Sequence, residues 1–445
     1  MRHSSLLASF AIATLACASA CSSSGSNTGG PVNTTGGSGG APAGGATGNA
    51  GHGGTSTSSG GATTGGSGTA GNGTSGTGNA GGFGNSSGGT GGQSAVGGGS
   101  TGGGSSSGGG SAQGGASLGG SGSVGPSEPS GMPIPMTNNV AKPSGTPGNL
   151  TVLNWAGFKA AVSFTFDDAL SSQISNYSAL QGTGVKLTFF LVSNNNGTSA
   201  TWTQAQKDGH ELGNHTAHHC KDNGTNCAWG TYAGSLGSEL DQCTMHLTQT
   251  FGVSDVWTAA SPYGDTGYAS PDSSRFLLNR GVGGGQVGAG PSDTTDPYGL
   301  PCHTAAMGEV ASTFNSATDS ARSAGKWQIF LIHSLGGDGG YNPVSITDVV
   351  AAINHAKTAG DTWADSMVHV GAYWRAQKLL SSVTPTTSGT SKTWSWTLPA
   401  HFPPGRYLRV KVDGGTLSQG GTALAWSSHG YYEVALDAGS VTLSP

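Results

Sequence analysis

Between Cys21 and Glu128 the chain contains no Asp, Glu, Lys or Arg. The stretch consists of Gly, Ser, Thr, Ala and Asn, with only scattered apolar residues such as Phe83. Such a composition cannot bury enough apolar surface to offset the conformational entropy that folding removes. We therefore predict a disordered linker over residues 22–145, with an r.m.s. span of about 55–60 Å for about 105 residues of Gly-rich coil. The remaining residues, about 300, can form one sizeable core and a small additional module.

The first twenty residues have the pattern of an export signal. Arg2 begins a short polar start, an apolar run follows over residues 6–16, and small residues precede Cys21. The apolar run is too short for a permanent membrane-spanning helix, so residues 1–20 are predicted to be a signal peptide. Cys21 predicts a lipoprotein that contacts a membrane only through its lipid anchor, at the cell surface or outer membrane. Ala18 stands where this signal usually has Leu, so ordinary cleavage and secretion is the alternative.

Charge is sparse in this chain, with 17 basic and 22 acidic residues and a net charge of −5. No stripe of Lys and Arg runs along any segment, which excludes nucleic acid as a predicted partner. We expect a monomer.

Four cysteines follow the linker: Cys220, Cys227, Cys243 and Cys302. An even number in an exported chain predicts two disulfides, with three possible pairings. A zinc site built from these four is disfavoured because their spacing contains no Cys-x-x-Cys pair.

Short apolar runs alternate with amphipathic ones from Trp155 to about Leu380. This alternation predicts a parallel α/β sheet or barrel over residues 150–382, because continuous apolar strands need cover on both faces. The predicted strands are residues 160–166, 186–193, 256–259 and 327–332. The predicted helices are residues 169–180, 202–208, 236–251, 312–324 and 346–357.

The pattern changes after about Thr384. Three predicted strands, residues 393–398, 407–412 and 431–436, alternate apolar and polar residues. They predict a small antiparallel β-rich accessory module over residues 388–445. Its three tryptophans suggest either a sugar-stacking surface or module core, and core is the favoured interpretation; they are Trp394, Trp396 and Trp426.

Polar groups follow three of the predicted strands. Asp167 and Asp168 end the first, His333 follows the strand at 327–332, and Tyr263 lies just beyond the strand at 256–259. In β/α architectures the carboxyl ends of parallel strands share one edge, where sites collect. We therefore predict one site that contains all of these groups.

His215 and His219 are four residues apart, so one helical turn would place both imidazoles on the same side. Two imidazoles and a carboxylate suit a divalent transition metal. His218 is the alternative to His219 as a ligand, and the spacing favours His219.

These residues resemble the polysaccharide deacetylases, the NodB-homology enzymes of carbohydrate esterase family 4. Four segments look like ordered motifs of that family: Thr165-Phe166-Asp167-Asp168, His215-Thr216-x-x-His219, Pro262-Tyr263-Gly264 and Leu331-Ile332-His333. Residues 187–192 and 209–214 also resemble its second strand and its lead-in to the histidine motif. The resemblance covers roughly residues 155–380 and implies a distorted (β/α) barrel.

The resemblance implies roles for these residues. Asp167 corresponds to the catalytic base, and His333 corresponds to the general acid. Asp168, His215 and His219 correspond to the ligands of a divalent metal, for which Zn²⁺ is expected and Co²⁺ or another transition metal is the alternative. Tyr263 corresponds to a backbone donor for the oxyanion. Leu331 corresponds to part of the acetyl pocket.

Two motifs depart from the family pattern. Ala260 occupies the position at which the third motif usually carries an Arg that orients the base. Arg275 and Arg280 are the candidates to replace it in space. A motif that usually supplies a carboxylate partner is also unclear; Asp293 and Asp296 are the candidates, although local turn capping is the favoured interpretation for each.

The sequence therefore predicts an exported, metal-dependent deacetylase that acts on polymers containing N-acetylglucosamine. One alternative is an esterase of the same fold that removes O-acetyl groups from acetylxylan. The other is a catalytically silent carbohydrate-binding surface protein, for which Ala260 is the supporting feature.

Overall fold

The computed structural model describes residues 128–445. The predicted signal peptide, Cys21 and the predicted linker up to residue 127 lie outside the described residues. Among residues 128–445, no helix is both long enough and apolar enough to cross a membrane.

Strands are spread over the whole described segment. In chain order they are β1 (Leu150–Val152), β2 (Ala160–Asp167), β3 (Thr188–Leu191), β4 (Glu211–Asn214), β5 (Thr258–Ala260), β6 (Leu278–Arg280), β7 (Val287–Gly288), β8 (His303–Thr304), β9 (Lys326–Ile332), β10 (Thr362–Ala364), β11 (Thr386–Ser388), β12 (Ser391–Ser395), β13 (Tyr407–Val412), β14 (Thr416–Gln419), β15 (Thr422–Ala423), β16 (Trp426–Ser427), β17 (Tyr431–Ala435) and β18 (Ser440–Ser444).

The helices lie between β2 and β11. They are α1 (Ser171–Ser175), α2 (Tyr177–Gln181), α3 (Ala200–Lys207), α4 (Leu236–Phe251), α5 (Ala269–Ser273), α6 (Ala311–Ala324), α7 (Ile346–Thr358) and α8 (Met367–Ser382). The single helix predicted for residues 169–180 is wrong, because α1 and α2 are separated at Asn176. The Asn176 side chain donates to the Ser172 carbonyl at 2.8 Å, which competes with helical hydrogen bonding.

A curled α/β sheet forms the centre of the structure. Its strand order is β6-β5-β4-β3-β2-β9-β7, with β10 paired to the start of β2 and β8 paired to β9. Every pairing in this sheet is parallel except that of β7 with β9. The predicted distorted (β/α) barrel is therefore confirmed as the fold class.

Burial explains why β2 and β9 occupy the middle of this sheet. All eight residues of β2 are buried, as are six of the seven residues of β9. Phe164 stacks on Phe330 with ring centroids 4.9 Å apart, and Phe166 stacks on Phe189 at 5.3 Å. Continuous apolar strands of this kind are stable only where helices cover both faces of the sheet.

Two antiparallel sheets contain all eight of the strands after α8. One has the order β1-β13-β17-β16, and the other has the order β11-β12-β18-β14-β15. Trp394 and Trp396 are buried in the same apolar cluster as Trp327 and Trp374, and Trp426 packs against it half-buried. The interpretation of the three tryptophans as core is confirmed.

Residues 128–145, which the sequence places in the linker, pack against these antiparallel strands. Arg409 on β13 is completely buried and forms ion pairs with Glu128 at 3.1 Å and Glu433 at 3.0 Å. It also donates to the Pro133 carbonyl at 2.7 Å. A buried guanidinium with this many partners fixes the start of the described chain to β13 and β17.

Candidate metal-dependent active site

The carboxyl ends of the central strands meet at one edge, and the polar residues of the motifs lie there. Asp167 is the last residue of β2 and pairs with Phe190 of β3. Phe166 pairs with Ile332 of β9, so His333 follows at the same edge. His215 follows the last residue of β4 directly, and Ala260 ends β5. The parallel register thus brings four distant segments together.

The turn after β2 departs from ordinary backbone conformation. Asp168 and Ala169 have φ values of 78° and 56°, in the left-handed region that L-residues rarely adopt. Three side-chain amides hold this turn through its carbonyls: Gln173 donates to Asp167 at 2.6 Å, Asn195 to Asp168 at 2.7 Å and Asn196 to Ala169 at 3.1 Å. Backbone strain that is held in place by its surroundings is typical of functional sites.

The two histidines meet through a loop, so the helical turn suggested by their spacing is wrong. Thr216 and His219 have φ values of 69° and 53°. Asn214 accepts from the Thr216 N–H at 2.8 Å, and the Thr216 hydroxyl accepts from the His219 N–H at 2.9 Å. These short polar links fold the segment back, and the imidazole centroids of His215 and His219 lie 4.8 Å apart.

Asp168, His215 and His219 form one cluster of potential metal ligands, with their ligand atoms all within 4.8 Å of one another. Asp168 Oδ1 lies 3.3 Å from His215 Nε2 and 3.5 Å from His219 Nε2. His218, the alternative ligand, points elsewhere, because its Nδ1 lies 3.0 Å from Glu239 Oε1.

This donor set fits a divalent transition metal. Tetrahedral ligands at about 2.0–2.1 Å from Zn²⁺ lie about 3.3 Å from one another, close to the spacings measured here. Asp168 Oδ1 is buried without a hydrogen-bond partner among the described residues, as expected for an atom reserved for a cation. His215 Nδ1 lies 2.8 Å from the Ala260 carbonyl, an acceptor that leaves the lone pair of Nε2 facing the cluster.

The same proximity shifts the pKa values of these groups. Burial opposes ionisation of Asp168, but hydrogen bonding and charge from His215 hold its pKa at about 2. Burial lowers the pKa of His219 to about 4, with His215 adding to the effect. Burial also lowers the pKa of His333, against the attraction of Asp167 and Asp168. The ionised Asp168 and the neutral His219 are in the protonation states that bind metal. Burial opposes a charge on His215, but Asp167 and Asp168 outweigh it and raise its pKa, so a bound metal would displace that proton.

Arg280 supplies the positive charge that Ala260 lacks. It is the last residue of β6, where it pairs in register with Ala260 of β5. Its side chain is completely buried, and Nη2 forms an ion pair with Asp167 Oδ2. Its guanidinium carbon also lies 5.4 Å from the ring centroid of Phe190. The arginine therefore reaches the Asp167 carboxylate from β6, the strand next to that of Ala260.

The other candidates from the sequence, for the missing arginine and for the carboxylate partner, lie outside the site. Arg275 pairs with Asp241 at 2.7 Å on the surface. Asp293 accepts from the Thr295 N–H at 3.0 Å, and Asp296 accepts from the Tyr298 N–H at 2.9 Å. Both carboxylates thus cap local turns, which was the favoured interpretation for each.

His333 and Leu331 complete the inner wall. Leu331 is buried in β9, whereas His333 is half-buried and close enough to Asp167 and Asp168 for their charges to affect its pKa. His333 Nδ1 is buried without a partner among the described residues. The Gln173 amide donates to the carbonyls of both Asp167 and His333, which links the two strand ends.

Aromatic side chains surround the opening of the site. Tyr263 is 44% exposed, has a φ of 57° and places its ring 4.6 Å from that of His219. Trp229 lies at 5.4 Å from the same histidine ring. Tyr341 is 63% exposed and lies 5.1 Å from the ring of His333. Flat rings beside a polar centre can stack on sugar rings, and Tyr263 and Tyr341 are exposed enough to do so.

One disulfide is present among the described residues, Cys220–Cys227. Cys243 and Cys302 are buried thiols, so the prediction of a second disulfide is wrong. Their sulfurs face separate carbonyls, that of Leu191 at 3.2 Å and that of Gly281 at 3.3 Å. The disulfide closes the short loop that follows His219. Tyr263 donates its hydroxyl proton to the Asn226 carbonyl of this loop at 2.7 Å.

Sequence reasoning did not find several supporting residues. Gln173, Asn195, Trp229 and Tyr341 belong to no motif and have no spacing that marks them. Arg280 was named only as one of two candidates, because β6 was not predicted as a strand. The position of each of these side chains depends on which loops the fold brings to the carboxyl edge of the central sheet.

A comparison with protein families identifies the class. Residues 157–277 match the model of the family described as polysaccharide deacetylase. The resemblance inferred from the motifs is therefore confirmed over this segment, which matches a polysaccharide deacetylase domain and contains the first three of the four motifs. The domain is a hydrolase that acts on acetyl groups. No curated protein matches the chain.

Solved structures of the same class are similar to the chain at low identity. The Xyl-CE4 domain of a multidomain xylanase from the hindgut metagenome of Trinervitermes trinervoides is 19% identical, with 47% of this chain and 88% of that chain covered and a TM-score of 0.33. The catalytic domain of peptidoglycan N-acetylglucosamine deacetylase from Eubacterium rectale is 17% identical, with coverages of 48% and 91% and a TM-score of 0.33.

A family 4 acetyl xylan esterase from Clostridium thermocellum, in complex with a cobalt ion, is also similar. It is 16% identical, with 47% of this chain and 89% of that chain covered and a TM-score of 0.30. At such low TM-scores these likenesses carry no argument, and the class rests on the family match and the ordered motifs.

Proposed function

We propose that this protein is an exported, metal-dependent deacetylase that removes acetyl groups from polysaccharides containing N-acetylglucosamine. The observation that carries the proposal is the cluster of Asp168, His215 and His219 beside the buried pair of Asp167 and Arg280. The catalytic domain would span residues 150–382, with an accessory module over residues 388–445.

Asp168, His215 and His219 would hold the metal, and Zn²⁺ fits two imidazoles and one carboxylate, with Co²⁺ as the alternative. A divalent cation bound there supplies Lewis-acid polarisation of the acetyl carbonyl and activation of water. The Ala260 carbonyl keeps His215 oriented for this task.

Asp167 would act as the general base. Arg280 occupies its Oδ2, while its Oδ1 is buried without a partner among the described residues. One oxygen is therefore fixed and the other is free to accept a proton from the attacking water.

His333 would protonate the departing amine. Its lowered pKa makes the protonated imidazole a stronger acid toward the leaving nitrogen. The backbone N–H of Tyr263 would stabilise the oxyanion, and Leu331 would form part of the acetyl pocket. An amide needs protonation of its leaving nitrogen more than an ester needs protonation of its leaving oxygen, so a histidine acid supports N-acetyl substrates.

Acetate release from a substrate panel tests this proposal. We expect acetate from chitin oligomers, loss of activity with a chelator, and recovery with added Zn²⁺ or Co²⁺. His215→Ala should lose bound metal on elemental analysis, whereas the exposed His401 replaced by Ala should retain it.

Release from acetylated xylan alone would replace the N-acetyl assignment with the O-acetyl esterase. Absence of acetate from every substrate, with metal bound, would contradict the enzyme and support a carbohydrate-binding protein.

We also propose export with a lipid anchor on Cys21. The Cys21→Ser variant should then move from the membrane fraction to the soluble fraction of an expressing cell, which immunoblotting of the two fractions can measure.

A further inference from the structure

A cavity of about 550 Å³ lies at the end of the central sheet opposite to the candidate active site. Among its lining residues is Thr362 of β10, which pairs with Ala160 at the start of β2. Asp167 ends the same strand seven residues later, which corresponds to about 23 Å of extended chain. This cavity is therefore separate from the residues that carry the proposed chemistry.

Three segments that are distant in sequence build its walls. Residues 130–134 come from the start of the described chain, residues 184–186 precede β3, and residues 405–407 lead into β13. The cavity thus lies where the antiparallel strands meet the amino end of the α/β sheet.

The charges that line the cavity are mainly positive. Lys186, Lys357 and Arg406 face one carboxylate, Asp365, and one histidine, His369. Both Asp365 oxygens already have donors, because Oδ1 lies 2.9 Å from His369 Nδ1 and Oδ2 accepts from the indole of Trp363 at 3.1 Å. The cavity is thus a cationic site on a chain whose net charge is −5.

Arg406 gives the strongest indication that this cavity binds an anion. Within residues 128–445 its guanidinium makes no hydrogen bond or ion pair, and its Nε is buried without a partner. Arg409, three residues further along the chain, binds two carboxylates. The charges of Asp365 and Glu211 act on this guanidinium, but neither carboxylate bonds to it directly. A bound anion would supply the direct partner that the half-buried cation lacks.

The two lysines of the cavity have unused N–H donors for the same anion. Lys357 Nζ donates to the Thr183 carbonyl at 2.7 Å, and Lys186 Nζ donates to the Asp208 carbonyl. Each ammonium has three donors, so each retains donors for a ligand.

Apolar and aromatic groups line the rest of the cavity, including Phe158, Tyr407 and Ile134. Cavities of about 300–1,000 Å³ with apolar walls and a few convergent polar groups bind small organic ligands rather than single ions. A sugar ring presents C–H faces that pack on aromatic side chains, and a carboxylate on that ring would meet the three cations.

We propose that this cavity binds a carboxylate-bearing saccharide of one or two rings, with its carboxylate at Arg406 and its ring against Tyr407. The site would hold an acidic sugar independently of the deacetylase chemistry at the other end of the sheet.

Calorimetric titration of the full mature chain tests the proposal. The probes are a glucuronic acid–glucose disaccharide, the matched neutral cellobiose, and inorganic phosphate. We expect the acidic disaccharide to bind at least tenfold more tightly than either of the others, and its affinity to fall as salt rises. Arg406→Gln should weaken binding by tenfold or more. Lys411→Gln, which removes an exposed charge from β13, the strand that follows Arg406, should not change it.

The proposal is overturned if cellobiose or phosphate binds as tightly as the acidic disaccharide, or if Arg406→Gln has no effect. If circular dichroism shows that Arg406→Gln is unfolded, Lys357→Gln replaces it, with a loss of threefold or more expected and an unchanged affinity counting against the proposal. His215→Ala should retain full binding, and loss of binding in that variant would place the acidic sugar at the candidate active site instead.

Discussion

Two buried arginines, Arg280 and Arg409, have opposite surroundings. Both are completely buried. Arg409 binds Glu128 and Glu433, donates to backbone carbonyls, and lies 4.3 Å from the ring of Tyr431. Arg280 binds one carboxylate, Asp167, donates to the Gly281 carbonyl at 2.9 Å, and leaves its Nε without a partner among the described residues.

The ion pairs of Arg409 stabilise the fold, whereas the ion pair of Arg280 belongs to the candidate active site. Around Arg409 the surplus donors are satisfied, so the network holds the strands and the start of the described chain together. Around Arg280, one oxygen each of Asp167 and Asp168 and one nitrogen each of His219 and His333 are buried without partners. Buried polar atoms of that kind are costly unless a metal, water or substrate binds them.

Asp167→Asn should have the largest effect on activity. The amide keeps the shape of the side chain but cannot accept the proton of water, so we expect kcat to fall by about 10²–10⁴-fold. Elemental analysis should show unchanged metal content, since Asp168, His215 and His219 remain. Full activity in this variant would remove Asp167 from the role of base.

Arg409→Met should have the largest effect on stability. The change leaves the buried Glu433 and the half-buried Glu128 without their cation, which typically costs about 3–5 kcal/mol in free energy of unfolding for a buried pair. Denaturant unfolding measures the change, and Lys411→Met on the same strand is the control with an expected effect within about 0.5 kcal/mol. A small loss of unfolding free energy in Arg409→Met would show that the ion pairs of Arg409 do not stabilise the fold.

Arg280→Gln should affect activity more than stability. We expect kcat to fall by roughly 10–100-fold, because Asp167 loses the ion pair that fixes its Oδ2 in position. Arg280→Lys should restore part of the activity.

Arg275→Gln is the matched control for Arg280→Gln, since Arg275 pairs with Asp241 at the surface. A kcat that is unchanged in Arg280→Gln would reduce Arg280 to a packing residue.

Asp272 has the smallest expected effect on activity and sharpens the comparison, because it is a buried carboxylate without partners that lies outside the metal cluster. Burial raises its pKa to about 8, against the attraction of Arg275. The unfolded chain releases this proton near pH 4, whereas the folded protein keeps it until about pH 8, so the free energy of unfolding falls as pH rises between these values.

Asp272→Asn should remove this fall of the unfolding free energy with rising pH. Urea unfolding at pH 5 and at pH 8 should show a gain in stability over the original protein that is larger at pH 8, with activity unchanged. A gain that is equal at both pH values would contradict the buried, protonated carboxyl.

The long regular elements were predictable from local pattern. Helix α4 (Leu236–Phe251) and strand β13 (Tyr407–Val412) have the predicted bounds, because periodicity and capping residues such as Ser235 act over a few residues. Helix α8 and strand β6 were missed. Helix α8 is apolar on most of its surface, and β6 is only three residues long, so neither has a clear period.

The sequence alone determined the class of this protein and the membership of its candidate site, because Asp167, Asp168, His215, His219 and His333 occur in ordered motifs at the ends of apolar runs. The tertiary structure decided how these groups are supported. Ala260 and Arg280 are twenty residues apart in the chain but adjacent in register on β5 and β6. Strand pairing acts between segments that no local pattern connects, so only the folded sheet could show which arginine reaches Asp167.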